Sequence, residues 1–200
     1  MPRSSDQFDS GIPLQKGILM TYAFYLDLPP LPDMPLNPSS DSFHQYITIS
    51  CDKNGSAVPN TVCTRYSINP DIVDWAKQNI SQEFHTIGLN HQGTDNGGVA
   101  IPHTDRSRNW TLIWLTDTGG TDVPTVFWQE KGFPAQRDAG YYPKSYDNLV
   151  EIESHVIETN RWILLNANVI HSVENLMRIR KAVQLGFWND TDFIKKYSIE

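Results

Sequence analysis

Residues 162–187 of the chain read WILLNANVIHSVENLMRIRKAVQLGF, and this stretch decides the fold. An apolar run from Trp162 to Leu165 ends in the polar turn Asn166-Ala167-Asn168. From Ile179 to Phe187 the residues alternate, which is the period of a β-strand with two different faces. The small and polar face carries Arg180, Ala182, Gln184 and Gly186. The other face is mostly apolar, so we predict that this strand packs against a second layer.

The same alternation of strand and turn signals extends back to Glu83. Short runs rich in Val, Ile, Thr, Phe and Trp recur from there onward. Turn-forming clusters separate them at Gly93 to Gly98, Gly119-Gly120, Gly132 to Gly140 and Asn166 to Asn168. This punctuation is typical of an antiparallel β-sandwich or barrel. We therefore predict mainly antiparallel strands in two facing sheets from Glu83 to Phe187.

One helix is predicted between Pro70 and Ile80. Asn69 suits the N-cap, Pro70 suits the first helical position, and Asp71 favours the positive end of the helix dipole. Four apolar residues then repeat at helical spacing, namely Ile72, Trp75, Ala76 and Ile80. The apolar stripe predicts a helix that packs on the outside of the strands.

The N-terminal part of the chain is mixed. Ile18 to Leu28 and Ile47 to Cys51 have the composition of strands, whereas five prolines between Pro29 and Pro38 forbid regular structure between them. We predict one domain over residues 1–200. Residues 1–82 would supply flanking strands and the helix, and residues 83–190 would form the β-rich core.

Composition limits the classes of function. Hydrophobic residues make up 39% and charged residues 20% of the 200 residues, as in ordinary soluble globular proteins. The formal net charge of −7 argues against charge-driven binding to nucleic acid or to anionic membranes. We expect neither a secretory signal nor a membrane span, and hence a cytoplasmic protein. Two cysteines, Cys51 and Cys63, are too few for an iron–sulfur cluster or a disulfide framework.

Two potential metal ligands lie two residues apart in the segment Ile101-Pro102-His103-Thr104-Asp105. On a strand, residues i and i+2 point to the same face, so both side chains could reach one ion. Two imidazoles and one carboxylate with open remaining positions suit a non-haem Fe(II) oxygenase. The His103-x-Asp105 pair alone is a weak signal, and the third ligand must come from a distant strand.

His171 is the candidate for that third ligand, since it follows the apolar run and polar turn at residues 162–168. Arg180 comes nine residues later, on the small and polar face of the last strand. A fixed guanidinium has no evident structural task there. Its planar fork can bind both oxygens of a carboxylate, so Arg180 is a candidate anion anchor.

In this order the motifs resemble those of the 2-oxoglutarate/Fe(II)-dependent dioxygenases, and of the prolyl-hydroxylase-like branch in particular. The resemblance covers about Ile101 to Phe187 and rests on His103-x-Asp105, Leu112 to Leu115, Gly119-Gly120, Thr125 to Phe127, Arg161 to Leu165, His171-Ser172-Val173 and Arg180. It implies that residues 83–190 form a double-stranded β-helix, or jelly roll, as the catalytic core.

The resemblance also implies the chemistry. His103, Asp105 and His171 would bind Fe(II) and carry catalysis, and Arg180 would anchor 2-oxoglutarate as co-substrate. The partners would be O2 and a small-molecule or peptide substrate, with release of succinate and CO2. Because Asp105 is retained, hydroxylation or a related oxidation is favoured over halogenation.

The sequence leaves alternatives open for the residues that would bind the co-substrate. Arg178 has the same strand parity as Arg180, so the anchor could be displaced by two residues. Trp114 stands near the position where several relatives place a tyrosine that binds the co-substrate, and we count Trp114 and Gln184 with Arg180 as predicted cofactor-binding residues. The tyrosine's bond could also be supplied from elsewhere, by Asn90, Tyr66 or Gln184.

Other readings of the same residues remain. A divalent-metal hydrolase could use two histidines and a carboxylate, although the chain has no His-Glu-x-x-His helix. A jelly-roll binding module without catalysis is a second alternative, against which the intact triad argues. Arg106 and Arg108 are either exposed loop cations or residues that orient an anionic substrate. His85 and His91 are expected to be structural or to contact substrate.

Overall fold

A computed structural model describes residues 21–51 and 57–197, and for residues 39–51 and 57–62 it describes the backbone alone. The strands are, in chain order, β1 (Ala23–Leu26), β2 (Ser39–Cys51), β3 (Ala57–Ser67), β4 (Thr86–Gln92), β5 (Gly98–His103), β6 (Trp110–Asp117), β7 (Pro124–Glu130), β8 (Leu149–Val156), β9 (Trp162–Asn166), β10 (Ile170–Leu176) and β11 (Arg180–Phe187). The helices are α1 (Pro70–Asn79), a short 3-10 turn (Tyr146–Asn148) and α2 (Asp192–Tyr197).

The strands form two antiparallel sheets. The larger sheet has the order β1-β9-β6-β11-β4-β3-β2, and the smaller sheet has the order β5-β10-β7-β8. The predicted class, a mainly β jelly roll with flanking helices, is confirmed. Within residues 83–187, strands β4, β6, β9 and β11 belong to the larger sheet and β5, β7, β8 and β10 to the smaller one, so the chain passes repeatedly between two sheets, as predicted. The N-terminal strands β2 and β3 extend the larger sheet beyond β4, and β1 forms its opposite edge beside β9.

Both faces of the larger sheet are buried. Along β6, Ile113 and Leu115 point into the space between the sheets and pack near Phe127 of β7. Leu112 and Trp114 have the other parity and lie in a second core cluster that includes residues of α1. Burying an aliphatic or aromatic side chain contributes about 1.5–3 kcal/mol, so these two layers supply much of the stability. They also hold the inward-facing polar residues in fixed positions.

Helix α1 begins as the sequence predicts. The backbone N–H of Asp71 donates to the Asn69 side-chain oxygen at 3.0 Å, and Pro70 is the first helical residue. Ile72 and Ala76 are buried against the outer face of the larger sheet. None of the helices in the described part of the chain is both long and apolar enough to cross a membrane.

The segment between β1 and β2 is irregular, as its prolines predict. The Pro29 carbonyl accepts a hydrogen bond of 2.8 Å from the indole N–H of Trp162, so part of this segment is tied to the core. Strand β1 is shorter than the predicted Ile18 to Leu28, whose first three residues lie outside the described residues. The Cys51 side chain also lies outside them.

Candidate metal centre

The two histidines of the predicted triad meet across neighbouring strands of the smaller sheet. His103 is the last residue of β5, and His171 is the second residue of β10 and its direct partner in the register. Their ring centroids are 4.6 Å apart. Behind them lies Phe127, whose ring centroid is 6.1 Å from that of His171 and whose side chain is fully buried. The pairing of β5 with β10 therefore brings together residues that are far apart in sequence.

Asp105 also lies beside the two histidines, but in a loop and not on a strand as the sequence suggests. We expected His103 and Asp105 on one strand, but β5 ends at His103 and Asp105 lies in the loop that follows. Its backbone N–H donates to the Ala167 carbonyl at 2.9 Å, and its carbonyl accepts from Gly140 N–H at 3.1 Å. Held between these two loops, Asp105 still places its Oδ1 3.5 Å from His103 Nε2.

The three side chains together could hold a divalent metal ion. One ligand atom from each of His103, Asp105 and His171 lies within 4.8 Å of the other two, and the described residues contain no other such group of three. Bonds of about 2.0–2.2 Å to nitrogen and oxygen require ligand atoms roughly 3 Å apart, so small side-chain rotations suffice. Two nitrogens and one oxygen are suitable donors for Fe(II) and also for Zn(II).

Main-chain carbonyls orient both imidazoles. His103 Nδ1 lies 2.7 Å from the carbonyl oxygen of Ile101, and His171 Nδ1 lies 2.9 Å from that of Val169. A carbonyl only accepts hydrogen bonds, so each Nδ1 carries a proton and donates it. The Nε2 of each ring keeps its lone pair when the ring is neutral, which is the form that binds a metal ion.

The two carboxylate oxygens of Asp105 have different surroundings. Oδ2 contacts Arg108 Nε in an ion pair and accepts from the Thr111 hydroxyl at 3.3 Å. Oδ1 faces His103 instead. One oxygen is thus held by the protein, and the other is placed to bind an ion.

Burial and mutual charge set the proton balance of the triad. Burial lowers the pKa of His171, the charge of His103 lowers it further, and the result is about 4. Burial alone would also lower the pKa of His103, but the hydrogen bond and charge of Asp105 outweigh it and raise the pKa. Burial would raise the pKa of Asp105, yet its hydrogen bond with His103 and nearby positive charges lower it. Asp105 is therefore ionised and His171 neutral near pH 7, as metal binding requires.

Arg180 lies on the inward face of β11 and is only 3% exposed. Its two terminal nitrogens donate to the Thr125 hydroxyl at 3.2 and 3.3 Å, while Nε is buried without a partner. No carboxylate pairs with it among the described residues, and burial lowers its pKa to about 10. Arg178 differs, since its exposed guanidinium donates to Asp117 at 2.9 Å. Of the two arginines, Arg180 is the one that lies between the sheets.

Gln184 shares the inward face of β11 and is buried. Its Oε1 accepts a hydrogen bond of 2.5 Å from Asn90 Nδ2, and Asn90 Oδ1 accepts one of 3.0 Å from Arg65 Nε. Gln184 and Asn90 thus form one inward-facing amide pair. Tyr66, the third alternative to Trp114, instead contacts His91 edge-on at 4.8 Å and packs against the outer cluster.

The structure places Trp114 away from the triad, which corrects its predicted role in co-substrate binding. Trp114 packs against Trp162, with ring centroids 5.1 Å apart, in the cluster on the outer face of the larger sheet. The reason is strand parity, because the neighbouring Ile113 and Leu115 take the inward positions on β6. Trp114 is a core residue.

The chain has low similarity to known proteins. No protein-family model matches the chain, and no curated protein does. Among solved structures, the chain is similar to a cupin-like protein from Thermotoga maritima at 10% identity, over 77% of this chain and 78% of that one, with a TM-score of 0.31. It is also similar to E. coli ycfD at 10% identity, over 70% of this chain but 36% of that one, with a TM-score of 0.39.

A cavity of about 180 Å³ opens beside His103 and Asp105. The residues that line it include Cys63, Arg65, Asn90, Arg106, Arg108 and Tyr142. The Tyr142 ring, part of the lining, stacks on His103 with centroids 5.8 Å apart. Burial raises the pKa of Cys63 to about 11, so its thiol is neutral near pH 7 and is neither a nucleophile nor a ready metal ligand.

Thr104, between the two ligands of the loop, was missed at the level of sequence. Its hydroxyl donates to the Asp138 carbonyl at 2.6 Å and accepts from Tyr141 N–H at 2.9 Å, and its own N–H donates to the Tyr141 carbonyl. These bonds hold residues 138–141 against the metal-ligand loop. The signal available in the sequence was a threonine flanked by two candidate ligands.

Of the two remaining histidines considered at the sequence level, neither joins the triad. The His85 ring stacks on Trp188 at 4.3 Å, and its Nε2 lies 2.7 Å from the Ser107 carbonyl oxygen. His91 contacts Tyr66 on the opposite face of the larger sheet from Asn90.

Proposed function

We propose that the protein is a non-haem Fe(II) and 2-oxoglutarate-dependent oxygenase of the prolyl-hydroxylase-like branch. It would hydroxylate a carbon of a small-molecule or peptide substrate and release succinate and CO2. The observation that carries the proposal is Arg180 on the inward face of β11, a buried guanidinium that has no acidic partner among the residues whose side chains the structure describes. A buried cation without a counter-charge is costly, and an anionic ligand would supply that counter-charge.

The strand register gives the spacing between this cation and the triad. His171 pairs with Phe127, and two residues further along β10, Val173 pairs with Thr125, the hydrogen-bond partner of Arg180. Two residues of a strand span about 6.6–6.8 Å. A dicarboxylate of five carbons has a similar length. One end could therefore reach the ion while the other reaches Arg180 and the Thr125 hydroxyl.

The chain's own residues would orient and protect the reactants. His103, Asp105 and His171 offer three donors, which leaves other positions of a six-coordinate ion for co-substrate and O2. Bound iron with 2-oxoglutarate would supply the oxygen activation that oxidises a substrate carbon. The apolar side chains between the sheets exclude water from the co-substrate, and they include Ile113, Leu115, Phe127 and Ala182.

The hydrolase alternative fits the surroundings of the triad less well. A metal hydrolase needs a general base within reach of the metal-bound water. Asp105 is the one carboxylate and His103 the one histidine among the described residues that line the cavity, and both belong to the triad. A hydrolase also leaves Arg180 without a task. The binding-module alternative leaves unexplained why all three ligands are intact and oriented.

Anaerobic spectroscopy tests the proposal directly. Adding 2-oxoglutarate to the Fe(II) protein should produce a metal-to-ligand charge-transfer band in the visible range. Admitting O2 should then produce succinate, slowly even when no prime substrate is present. Zn(II) in place of iron should not support succinate formation. Ester or amide hydrolysis with Zn(II) and no succinate would favour the hydrolase. If the protein binds no metal ion, the non-catalytic binding module is the remaining alternative.

A further inference from the structure

The cavity beside the metal centre is cationic in a chain whose formal net charge is −7. Arg65, Arg106 and Arg108 all line it. Within the part of the chain that the structure describes, Asp105 is the only lining residue with a negative charge. The excess of positive charge is therefore local, and it lies beside His103 and Asp105 of the triad.

Arg108 is built into this cavity rather than exposed on a loop. Its side chain is 9% exposed, and its Nε pairs with Asp105 Oδ2. Its Nη1 is buried and has no hydrogen-bond partner among the described residues. A buried donor without an acceptor is costly, so the vacant Nη1 indicates an acceptor that is brought by a ligand.

Two glycines leave room for the arginine side chains. A Cβ at Gly186 of β11 would lie 3.0 Å from Arg108 Cδ. A Cβ at Gly88 of β4 would lie 3.2 Å from Arg65 Cγ. A Cβ would meet other atoms first, Thr86 Oγ1 at 2.5 Å at Gly186 and the Tyr66 carbonyl oxygen at 2.8 Å at Gly88, so the arginine side chains are one of the reasons that these positions are tight. Arg65 is oriented further by its bond to Asn90.

We infer that this cavity binds an oxyanion, a carboxylate or phosphate group, of the prime substrate. Guanidinium groups present paired donors that match such oxyanions. The volume of about 180 Å³ fits a small group, since it corresponds to roughly six water molecules. The assignment of the anion to the prime substrate rests on the proposed function, in which Arg180 takes the co-substrate. The existence of the anion site does not depend on the proposed function.

Titration of inorganic phosphate and, separately, acetate into the full-length chain tests the inference. A chelator removes metal, so that neither anion can bind through an ion. Binding is followed by calorimetry and by NMR shifts of cavity amides in the wild type and in Arg65→Met, Arg65→Lys and Arg106→Met. Arg65→Met should weaken anion binding about tenfold, and the exposed Arg106→Met about two- to threefold. Arg65→Lys keeps the charge and should fall between the wild type and Arg65→Met.

Two control variants locate the anion. Arg178→Met removes an exposed guanidinium outside the cavity and should change nothing. Arg180→Met should leave intact the anion-dependent NMR shifts of the cavity amides, whatever anion the Arg180 site itself takes. If Arg180→Met abolishes binding while Arg65→Met does not, or if no binding occurs at tens of millimolar anion, the inference is wrong. Tighter binding of phosphate than acetate supports a phosphorylated substrate, and the reverse supports a carboxylic acid.

The anion site and the proposed oxygenase function can be tested independently of each other. Phosphate binding that depends on Arg65 together with no succinate formation would support the anion site and contradict the oxygenase. Succinate formation without anion binding in the cavity would support the oxygenase and contradict the anion site. Circular dichroism of each variant shows whether the chain remains folded.

Discussion

Arg180 of the larger sheet and Thr125 of the smaller sheet meet between the two layers, with both guanidinium terminal nitrogens donating to one hydroxyl oxygen at 3.2 and 3.3 Å. A neutral hydroxyl satisfies donors but does not balance the positive charge. Burial accordingly lowers the pKa of Arg180 to about 10. The pair thus places a positive charge between the two sheets, with no carboxylate partner among the described residues.

The first prediction follows from this pair. Arg180→Met should weaken 2-oxoglutarate binding by well over tenfold and leave iron binding nearly intact, since removing a buried charged partner costs about 2–5 kcal/mol. Arg178→Met, the matched control at an exposed ion pair, should cost under about 1 kcal/mol. Titration of 2-oxoglutarate into the anaerobic Fe(II) protein, followed by its absorption band, measures both. A larger effect of Arg178→Met would overturn the assignment.

The second prediction concerns the triad. His103→Ala, Asp105→Ala and His171→Ala should each abolish iron-dependent turnover while the fold is retained. His91→Ala is the control, because that ring lies on the other face of the larger sheet. Iron content after anaerobic loading and circular dichroism are measured together. Normal iron binding and turnover in the His171 variant would rule out this set of ligands.

The third prediction assigns Thr104 a positioning role. Thr104→Val keeps the shape but removes both side-chain hydrogen bonds to residues 138–141, which should cost about 1–3 kcal/mol of unfolding free energy. Amide exchange in residues 138–142 should accelerate, and metal affinity should fall because the ligand loop loosens. Thr116→Val, which removes one exposed bond of 3.2 Å, is the control. Unchanged exchange in residues 138–142 would contradict this role.

The fourth prediction is a pH dependence at Glu153. Its carboxylate accepts from the Tyr22 N–H at 2.7 Å and the Thr21 hydroxyl at 2.6 Å, and it contacts His155. Burial alone would raise the pKa of Glu153, but these hydrogen bonds lower it below its ordinary value of 4.5. The stabilisation is therefore fully present above pH 4.5 and is lost as the pH falls through the lowered folded-state pKa.

Glu153→Gln should accordingly lower the free energy of unfolding at pH 7 by about 1–3 kcal/mol. The difference from the wild type should shrink towards pH 3, where the wild-type carboxyl is increasingly neutral. Urea unfolding at several pH values measures it. Glu158→Gln, at an exposed side chain, should show no such trend. A constant difference across this pH range would contradict the assigned titration.

Strand alternation made part of the site predictable from sequence. The period of two in β11 separates a polar from an apolar face and puts Arg180 and Gln184 on the same face, whereas the structure shows that this face is the inward one. Arg178 lies before that strand begins and is exposed, as its position near a turn suggests. Local patterns are sufficient where the two faces of a strand differ in polarity.

The rest depends on contacts that no local pattern encodes. β6 is apolar on both faces, so its sequence does not tell which parity faces inward, and Trp114 was assigned to the wrong side. Asp105 leaves the strand, and distant backbone groups fix its position. Arg65 enters the site because β3 pairs with β4, which is a long-range contact between the flanking strands and the core.

The carbonyls that orient His103 and His171 have an evolutionary consequence. Each acceptor belongs to the backbone two residues upstream, at Ile101 and Val169. A side-chain acceptor can be lost by a single substitution, whereas a peptide carbonyl is present whatever residue occupies the position. Mutational drift around the centre therefore leaves the tautomer of both imidazoles unchanged. Substitutions in the lining of the neighbouring cavity therefore leave the two carbonyl acceptors in place.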